Sequence, residues 1–268
     1  MSSRWSRHGA LGAGLVVFTA SGAARTPRGE YRPAMDSAEA LDTVFVIPLG
    51  APQSGRAPLT DRAILRSASI AAAGGVGTIM FTGEALRRRG IVALVEAIHE
   101  LPAATGPMRV VLSTDGIRLP ALGRALAGAG LTGLAVHLDT LRRDRFAALT
   151  GEDRLGDVLD GLRAAGRLRF EQFEVRSHLR RGVNEDEVRD LVEFAWSVGA
   201  VPVLQPQAPA AASEIWSRRR GIDHAAVMML VAAAFDIPGI QCVAGTMTIG
   251  TRVVRIAELP MTEVVMSQ

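Results

Sequence analysis

Six short β-branched runs alternate with helical segments along this chain, and that alternation restricts the fold more than any other feature. Thr43–Pro48, Val76–Phe81, Met108–Ser113, Leu134–Leu138, Phe170–His178 and Val201–Gln205 read as strands. Between them Thr60 caps a helix running to about Ala73, and Glu84–Leu101 and Leu119–Gly130 form the next two. A short helix near Arg142–Leu149, a longer one over Asp153–Ala165, and Glu185–Val198 behind an Asn184 cap complete the series. Strands joined through helices pair in parallel, by right-handed crossovers. Periodicity alone leaves a barrel and a doubly wound sheet open.

The flanks break the pattern. Arg25–Asp42 is polar and rich in Pro and Gly, so residues 1–42 read as a leader and linker. The repeating unit spans 43–207, and 208–268 forms an appendage. In that appendage Ala208–Ser213 is a linker, Ile222–Phe235 an apolar buried helix, and Gly239–Leu259 a hairpin turning at Gly245 and Gly250.

Near the N-terminus, Arg4, Arg7 and His8 precede an apolar run from Ala10 to Ala20, followed by Ser21–Ala24. This resembles a weak secretory signal; read instead as a leader, it leaves the protein in the cytoplasm. The run is too short to span a bilayer. A net charge of +3 gives no nucleic-acid signal, and arginine carries every basic side chain, since the sequence contains no lysine. A single cysteine, Cys242, excludes an intrachain disulfide and any all-cysteine metal site within one chain. It lies in a strand-like run and reads as a small buried apolar residue.

Five segments taken together resemble one enzyme family. They are FTGEALRR (Phe81–Arg88), LSTDG (Leu112–Gly116), VHLDTL (Val136–Leu141), RFAALTGEDRLGDVLDGL (Arg145–Leu162) and LRRGVNEDEV (Leu179–Val188). In this order and spacing they are similar to the radical-SAM GTP 3',8-cyclases of molybdenum-cofactor biosynthesis. The resemblance implies a partial (βα)6 TIM-like barrel of the radical-SAM type, here with a small C-terminal helix-plus-hairpin appendage. It also implies S-adenosylmethionine and iron–sulfur clusters. The family's cysteine loop would follow the first strand, where this chain reads GAPQSGRAP, without cysteine, histidine or carboxylate. A cluster held by thiolates needs several cysteines. The expectation is therefore a protein that has lost its clusters, with S-adenosylmethionine left open as a cofactor and no resident metal.

The resemblance carries site residues over one by one. Gly83 and Glu84 stand in the segment that binds the amino group of S-adenosylmethionine, with one glycine and a proline lost. Ser113 offers a hydroxyl at the third strand's end, and Asp115–Gly116 reads as a turn. His137 replaces a cofactor-facing serine, while Asp139 matches. Glu174 and Arg176 replace a lysine and an asparagine, and Gln205 replaces a glutamate. Arg88 matches an arginine near the nucleotide substrate, with a solvated basic face as the plainer reading.

Strand alternation puts His137 with Asp139, and Glu174 with Arg176 and His178, on shared faces. These side chains would meet at the C-terminal mouth, where barrel enzymes place their sites. Glu174 and Arg176 would satisfy each other as an ion pair. The primary expectation is binding of a small ligand, a nucleotide or SAM-like molecule, or of a protein partner. An alternative is cluster-free acid/base catalysis by His137 with Glu174 and Arg176. A further one is an inherited role in molybdopterin biosynthesis.

Overall fold

The computed structural model of the chain describes residues 16–19, 43–49, 59–103, 106–206, 221–237, 242–243 and 245–257. Most of the expected leader, the cysteine-free loop at 50–58 and the linker at 208–213 lie outside these residues.

The strands are β1 (Val16–Thr19), β2 (Thr43–Leu49), β3 (Thr78–Gly83), β4 (Pro102–Ala103), β5 (Gly106–Pro107), β6 (Arg109–Thr114), β7 (Gly133–His137), β8 (Gln172–Leu179), β9 (Val201–Pro206), β10 (Cys242–Val243), β11 (Thr246–Ile249) and β12 (Arg252–Ile256). The helices are α1 (Asp61–Ala73), α2 (Ile91–His99), α3 (Leu119–Gly128), α4 (Arg143–Thr150), α5 (Leu155–Gly166), α6 (Val188–Ser197) and α7 (His224–Ala234).

One ten-stranded sheet runs in the order β1-β2-β3-β6-β7-β8-β9-β12-β11-β10. The six strands from β2 to β9 pair in parallel, as the βα alternation requires. With β1 and β10 at its two ends, the sheet is open, a TIM-barrel-like arc and not a closed barrel. The C-terminal hairpin is continuous with this sheet: β12 pairs in parallel with β9 through Arg255 opposite Val203 and Ile256 opposite Leu204. Trp196 on α6 fastens that corner, donating its indole N–H to the Val253 carbonyl at 3.0 Å and packing on Phe235 with ring centroids 5.4 Å apart. At the other edge, Val16–Thr19, placed by sequence in the apolar leader, pairs antiparallel with β2. Its VVFT run has the branched and aromatic composition that suits a strand.

Local chemistry explains the element ends. Thr60 caps α1, its hydroxyl accepting from the Ala63 N–H at 3.2 Å. The helix expected over Glu84–Leu101 is interrupted: a 3-10 turn covers Ala85–Arg87, and α2 starts only after Gly90, whose φ of +79° leaves the helical region. Asn184 does not cap with its side chain, which is used elsewhere.

The register divides the sheet into two unlike faces. Phe45, Ile79, Val110, Leu112, Leu134, Val136, Val175 and Leu204 share the outer face and are buried in one cluster with α-helical residues such as Ile64, Leu94, Leu126, Leu162 and Leu191. The inner face carries Ser113 beside Ala135, His137 in register with Arg176, Arg176 with Val203, Val203 with Arg255, and His178 with Gln205. Burial on the outer face stabilises the fold by about 1.5–3 kcal/mol per large side chain. The inner face is therefore free to carry polar chemistry.

Candidate ligand site at the C-terminal mouth of the sheet

Parallel strands bring the inner-face side chains of neighbouring strands to one rim. Ser113 near the end of β6 and His137 at the end of β7 meet there, with the serine Oγ 2.9 Å from His137 Nε2. His178, near the end of β8, stacks on His137 with ring centroids 5.4 Å apart and planes 5° from parallel. Asp139, just past β7, accepts from the His178 backbone N–H at 2.8 Å and lies 3.3 Å from its Nδ1 through the same oxygen. Arg180 approaches the other carboxylate oxygen at 3.7 Å.

The charges follow from this packing. His137 is pushed down to about 4, first by burial and then by His178 and the Arg176 guanidinium, with Asp139 opposing. Its imidazole is therefore neutral at neutral pH. Burial resists ionisation of Asp139, but the His178 hydrogen bonds and the charge of Arg180 outweigh it, and the carboxyl sits below its ordinary range. The aspartate thus serves His178 and not the imidazole that touches the serine. Ser113, His137 and Asp139 do not form a nucleophilic triad, because that chain needs the acid on the far nitrogen of the serine's own partner.

A residue read from sequence as a cap holds this group together. The fully buried Asn184 donates from Nδ2 to the carbonyls of Asp139 at 2.6 Å and His178 at 2.9 Å, while its Oδ1 accepts from the Arg180 N–H at 2.8 Å. One amide therefore fixes the backbone of three mouth residues. Glu187, also fully buried, accepts from the Thr140 hydroxyl at 2.6 Å, the Leu141 N–H at 2.7 Å and the Arg145 guanidinium. It anchors the loop that carries Asp139.

Deeper on the inner face lies a second polar group. Glu174, almost fully buried, bonds Arg176 Nε at 2.9 Å and Nη2 at 2.8 Å, Gln172 at 2.7 Å and Arg255 Nη1 at 2.5 Å. Burial works against the charged form, but Arg176, Arg255 and Gln172 together hold the carboxyl below its ordinary range. The Glu174–Arg176 pair is present, and Arg255 joins it from β12. Glu174 and Arg176 make no direct hydrogen bond to His137; Arg176 acts on it through charge.

The remaining candidates scatter. Gln205 stands in register with His178, and its Oε1 is buried without a hydrogen-bond partner. Gly83 ends β3 at φ +79°, where a Cβ would lie 2.5 Å from the Leu49 carbonyl oxygen, so only glycine fits that turn. The Glu84 carboxylate is exposed and faces Arg87 at 3.7 Å. Arg88 is directed away from the mouth, bound to Asp61 at 2.5 Å and to the Leu59 carbonyl at 2.8 Å.

A cavity of about 290 Å³ opens on the mouth, lined by His137, Asp139, Arg180 and Arg154 above the apolar side chains of Phe146 and Leu149. Its size and mixture of apolar walls with a few convergent polar groups suit a small ligand. Sequence reasoning missed Arg180, although its place directly after a strand's C-terminal end was a readable signal.

Residues 50–195 match the Radical SAM superfamily. The chain belongs to that superfamily. It is 38% identical over 183 residues to a GTP 3',8-cyclase of Streptomyces coelicolor, covering 67% of this chain and 52% of that protein. It is 39% identical over 122 residues to GTP 3',8-cyclase 2 of Pseudomonas aeruginosa, covering 45% of this chain and 36% of that one. The radical SAM chain thus spans about half the length of the first relative and about a third of the second.

Among solved structures, TYW1 with a lysine–pyruvate adduct bound superposes with a TM-score of 0.52 at 12% identity, over 79% of each chain. A radical SAM methyltransferase from Sphaerobacter thermophilus superposes with a TM-score of 0.52 at 17% identity, over 72% of this chain and 64% of that one. At these identities the superpositions speak for the radical SAM fold alone. No helix among the described residues is long and apolar enough to cross a membrane.

Proposed function

We propose that this chain is a radical SAM superfamily protein without an iron–sulfur cluster, which binds a small nucleotide or SAM-like ligand at the C-terminal mouth. The observation that carries the reading is the contrast between its thiol and its mouth. The one cysteine, Cys242, lies on β10 at the far end of the sheet from β2, after which the family's cluster loop would come. A cluster needs several thiolates, so the residues of this chain do not fit one. The mouth, by contrast, is furnished: Ser113, His137, His178 and Asp139 are in mutual contact beside a cavity of about 290 Å³.

S-adenosylmethionine fits in part. Glu84 keeps an exposed carboxylate whose partner Arg87 stands 3.7 Å away, so it is free to accept from an ammonium. The neutral His137 imidazole occupies the position of the family's serine, which favours a ligand bound differently from the cyclases' cofactor. The cyclases' own reaction on GTP, and a part in molybdopterin biosynthesis, would require a cluster from elsewhere. A protein partner at the same rim is the other occupant this reading admits.

Calorimetric titration with S-adenosylmethionine and with GTP tests the proposal. Micromolar binding of either, lost in Arg180→Ala and accompanied by no iron absorbance after anaerobic purification, is the expected result. A brown, iron-containing protein would overturn it, and so would a folded protein that binds neither ligand. A second reading, acid/base catalysis, rests on the 2.9 Å contact between Ser113 and His137. It predicts that His137→Ala abolishes turnover of a ligand so identified while the fold persists. The depressed basicity of His137 suits it to accepting a proton only transiently near pH 7.

A further inference from the structure

A second cavity, of about 440 Å³, lies outside the mouth beside the start of α2. Its walls include Arg88, Arg89 and Arg118, with Ile91, Val92 and Leu122 supplying apolar surface. The arginines differ in how far they are neutralised. Arg88 is held by Asp61 at 2.5 Å. Arg118 donates only to a neutral group, the Leu86 carbonyl at 3.2 Å. Arg89 is exposed and makes no ion pair or hydrogen bond among the described residues. Arg87, on the side shared with the mouth, reaches Glu84 and Asp115 at 3.7 and 3.8 Å. Among the described residues, therefore, two cations that line this cavity, Arg89 and Arg118, form no ion pair with a carboxylate, while Asp61 at its edge is taken by Arg88.

We infer that this cavity is a binding site for a small phosphate monoester, separate from the mouth. Two uncompensated guanidinium groups match a dianion, whereas a carboxylate would leave one of them unbalanced. A planar guanidinium presents paired donors to the oxygens of a phosphoryl group and binds it in two-point fashion. Near pH 8 a phosphate monoester carries about two negative charges, since its second pKa is about 6. The backbone adds to this: α2 begins after Gly90 without a side-chain cap, so the N–H groups of its first turn keep their hydrogen-bonding capacity. Val92 and Leu122 are half-buried and would cover an apolar body carried by the phosphate. Arg87 lines both this cavity and the one at the mouth, whereas Arg88 is turned toward Asp61 on α1.

The test uses phenyl phosphate and benzoate, which share a ring and differ in charge, titrated into the full chain at pH 8 and low salt. Phenyl phosphate is expected to bind saturably at one site and at least tenfold more tightly than benzoate. The double variant Arg89→Ala/Arg118→Ala is expected to lose at least tenfold in that affinity while its thermal unfolding midpoint stays put, because both side chains are exposed. Arg180→Ala, at the mouth, is expected to leave it unchanged. Three results would overturn the assignment: no saturable binding by folded protein, equal affinity for benzoate, or affinity that survives the double variant but falls in Arg180→Ala. If the double variant fails to fold, Arg89→Gln and Arg118→Gln, measured singly, provide the same readout.

Discussion

The two faces of the central sheet obey different rules. On the outer face Phe45, Ile79, Phe81, Leu112, Leu134 and Val175 pack under helices with almost no exposed surface. On the inner face of the same sheet lie His137 on β7, Glu174, Arg176 and His178 on β8, and Arg255 on β12; along β8 the three polar residues alternate with Val175 and Ser177. The outer face is sheet-on-helix packing, generic to any βα fold and roughly proportional to area buried. The inner face depends on direction and charge, so a single substitution there changes chemistry more than stability. The lesson is that the sheet holds the fold through the apolar period of one face and leaves the other face to polar side chains.

The largest expected effect lies on the outer face. Phe81→Ala should cost about 3–5 kcal/mol, through lost burial and the cavity left behind. Phe81 is fully buried, and its strand pairs on both sides. Urea unfolding monitored by far-UV circular dichroism would read the cost. A loss below about 1.5 kcal/mol would mean that the outer face does not carry the fold, and the contrast between faces would collapse.

Next comes acid sensitivity, which belongs to the inner face. The folded protein holds His137 at about 4, against about 6.5 for an unfolded histidine. Between those values the unfolded chain binds the extra proton, so stability is full above pH 6.5 and falls as pH drops toward 4. The loss attributable to His137 is at most about 3 kcal/mol, less where water reaches the ring. Asp139 and Glu174, held below their ordinary ranges, withdraw further stability only at lower pH, as their carboxylates protonate. In His137→Phe the slope between pH 6.5 and 4 should flatten. An unchanged slope in that variant would show that the stacked imidazoles do not set the acid response.

How much of these faces could be read from the chain divides along the same line. The period-2 alternation in β8, with Glu174, Arg176 and His178 on one side, was legible, and so was the parallel sheet. The partners of that row were not. Arg255 meets Glu174 across 81 residues, because β12 pairs with β9, and no local pattern announces that pairing. Asn184 looked like a helix cap because Asn before Glu-rich sequence usually is one. Tertiary contacts instead gave its amide two carbonyls and an N–H to satisfy. By its motif Arg88 matches an arginine near the nucleotide substrate, with a solvated basic face as the plainer reading, yet Asp61, 27 positions earlier in the chain, holds it as an ion pair. Short-range periodicity specifies which face a residue occupies, while its partner on that face is set by strand order.

A smaller effect sharpens the comparison within the inner face. Glu174→Ala removes the carboxylate between Arg176 and Arg255. Breaking a fully buried pair costs about 3–5 kcal/mol, because a stranded charge remains. Here both arginines reach solvent, with side chains 22% and 48% exposed, and can rehydrate. The expected cost is nearer about 2 kcal/mol. Glu174→Gln should recover part of it by keeping hydrogen bonds to both guanidinium groups. A Glu174→Ala cost equal to that of Phe81→Ala would place this polar group on the same footing as the apolar core.

The smallest effect should come from Arg255→Ala, and it separates what holds the hairpin from what furnishes the interior. Arg255 offers one hydrogen bond to Glu174 from a side chain that is nearly half exposed. Its removal leaves Glu174 paired with Arg176 and Gln172, so no charge is stranded. Meanwhile β12 keeps its backbone pairing with β9 and the indole bond from Trp196 to Val253. Surface-accessible ion pairs of this kind are worth about 0.2–1 kcal/mol, and the loss should fall in that range. Hydrogen exchange of the β12 amides provides the finer readout. Their protection should persist in Arg255→Ala and drop in Trp196→Phe, which keeps an aromatic ring but lacks the indole N–H. If the order reverses, the hairpin is held by charge, and the inner face, not the helix-covered one, closes this end of the sheet.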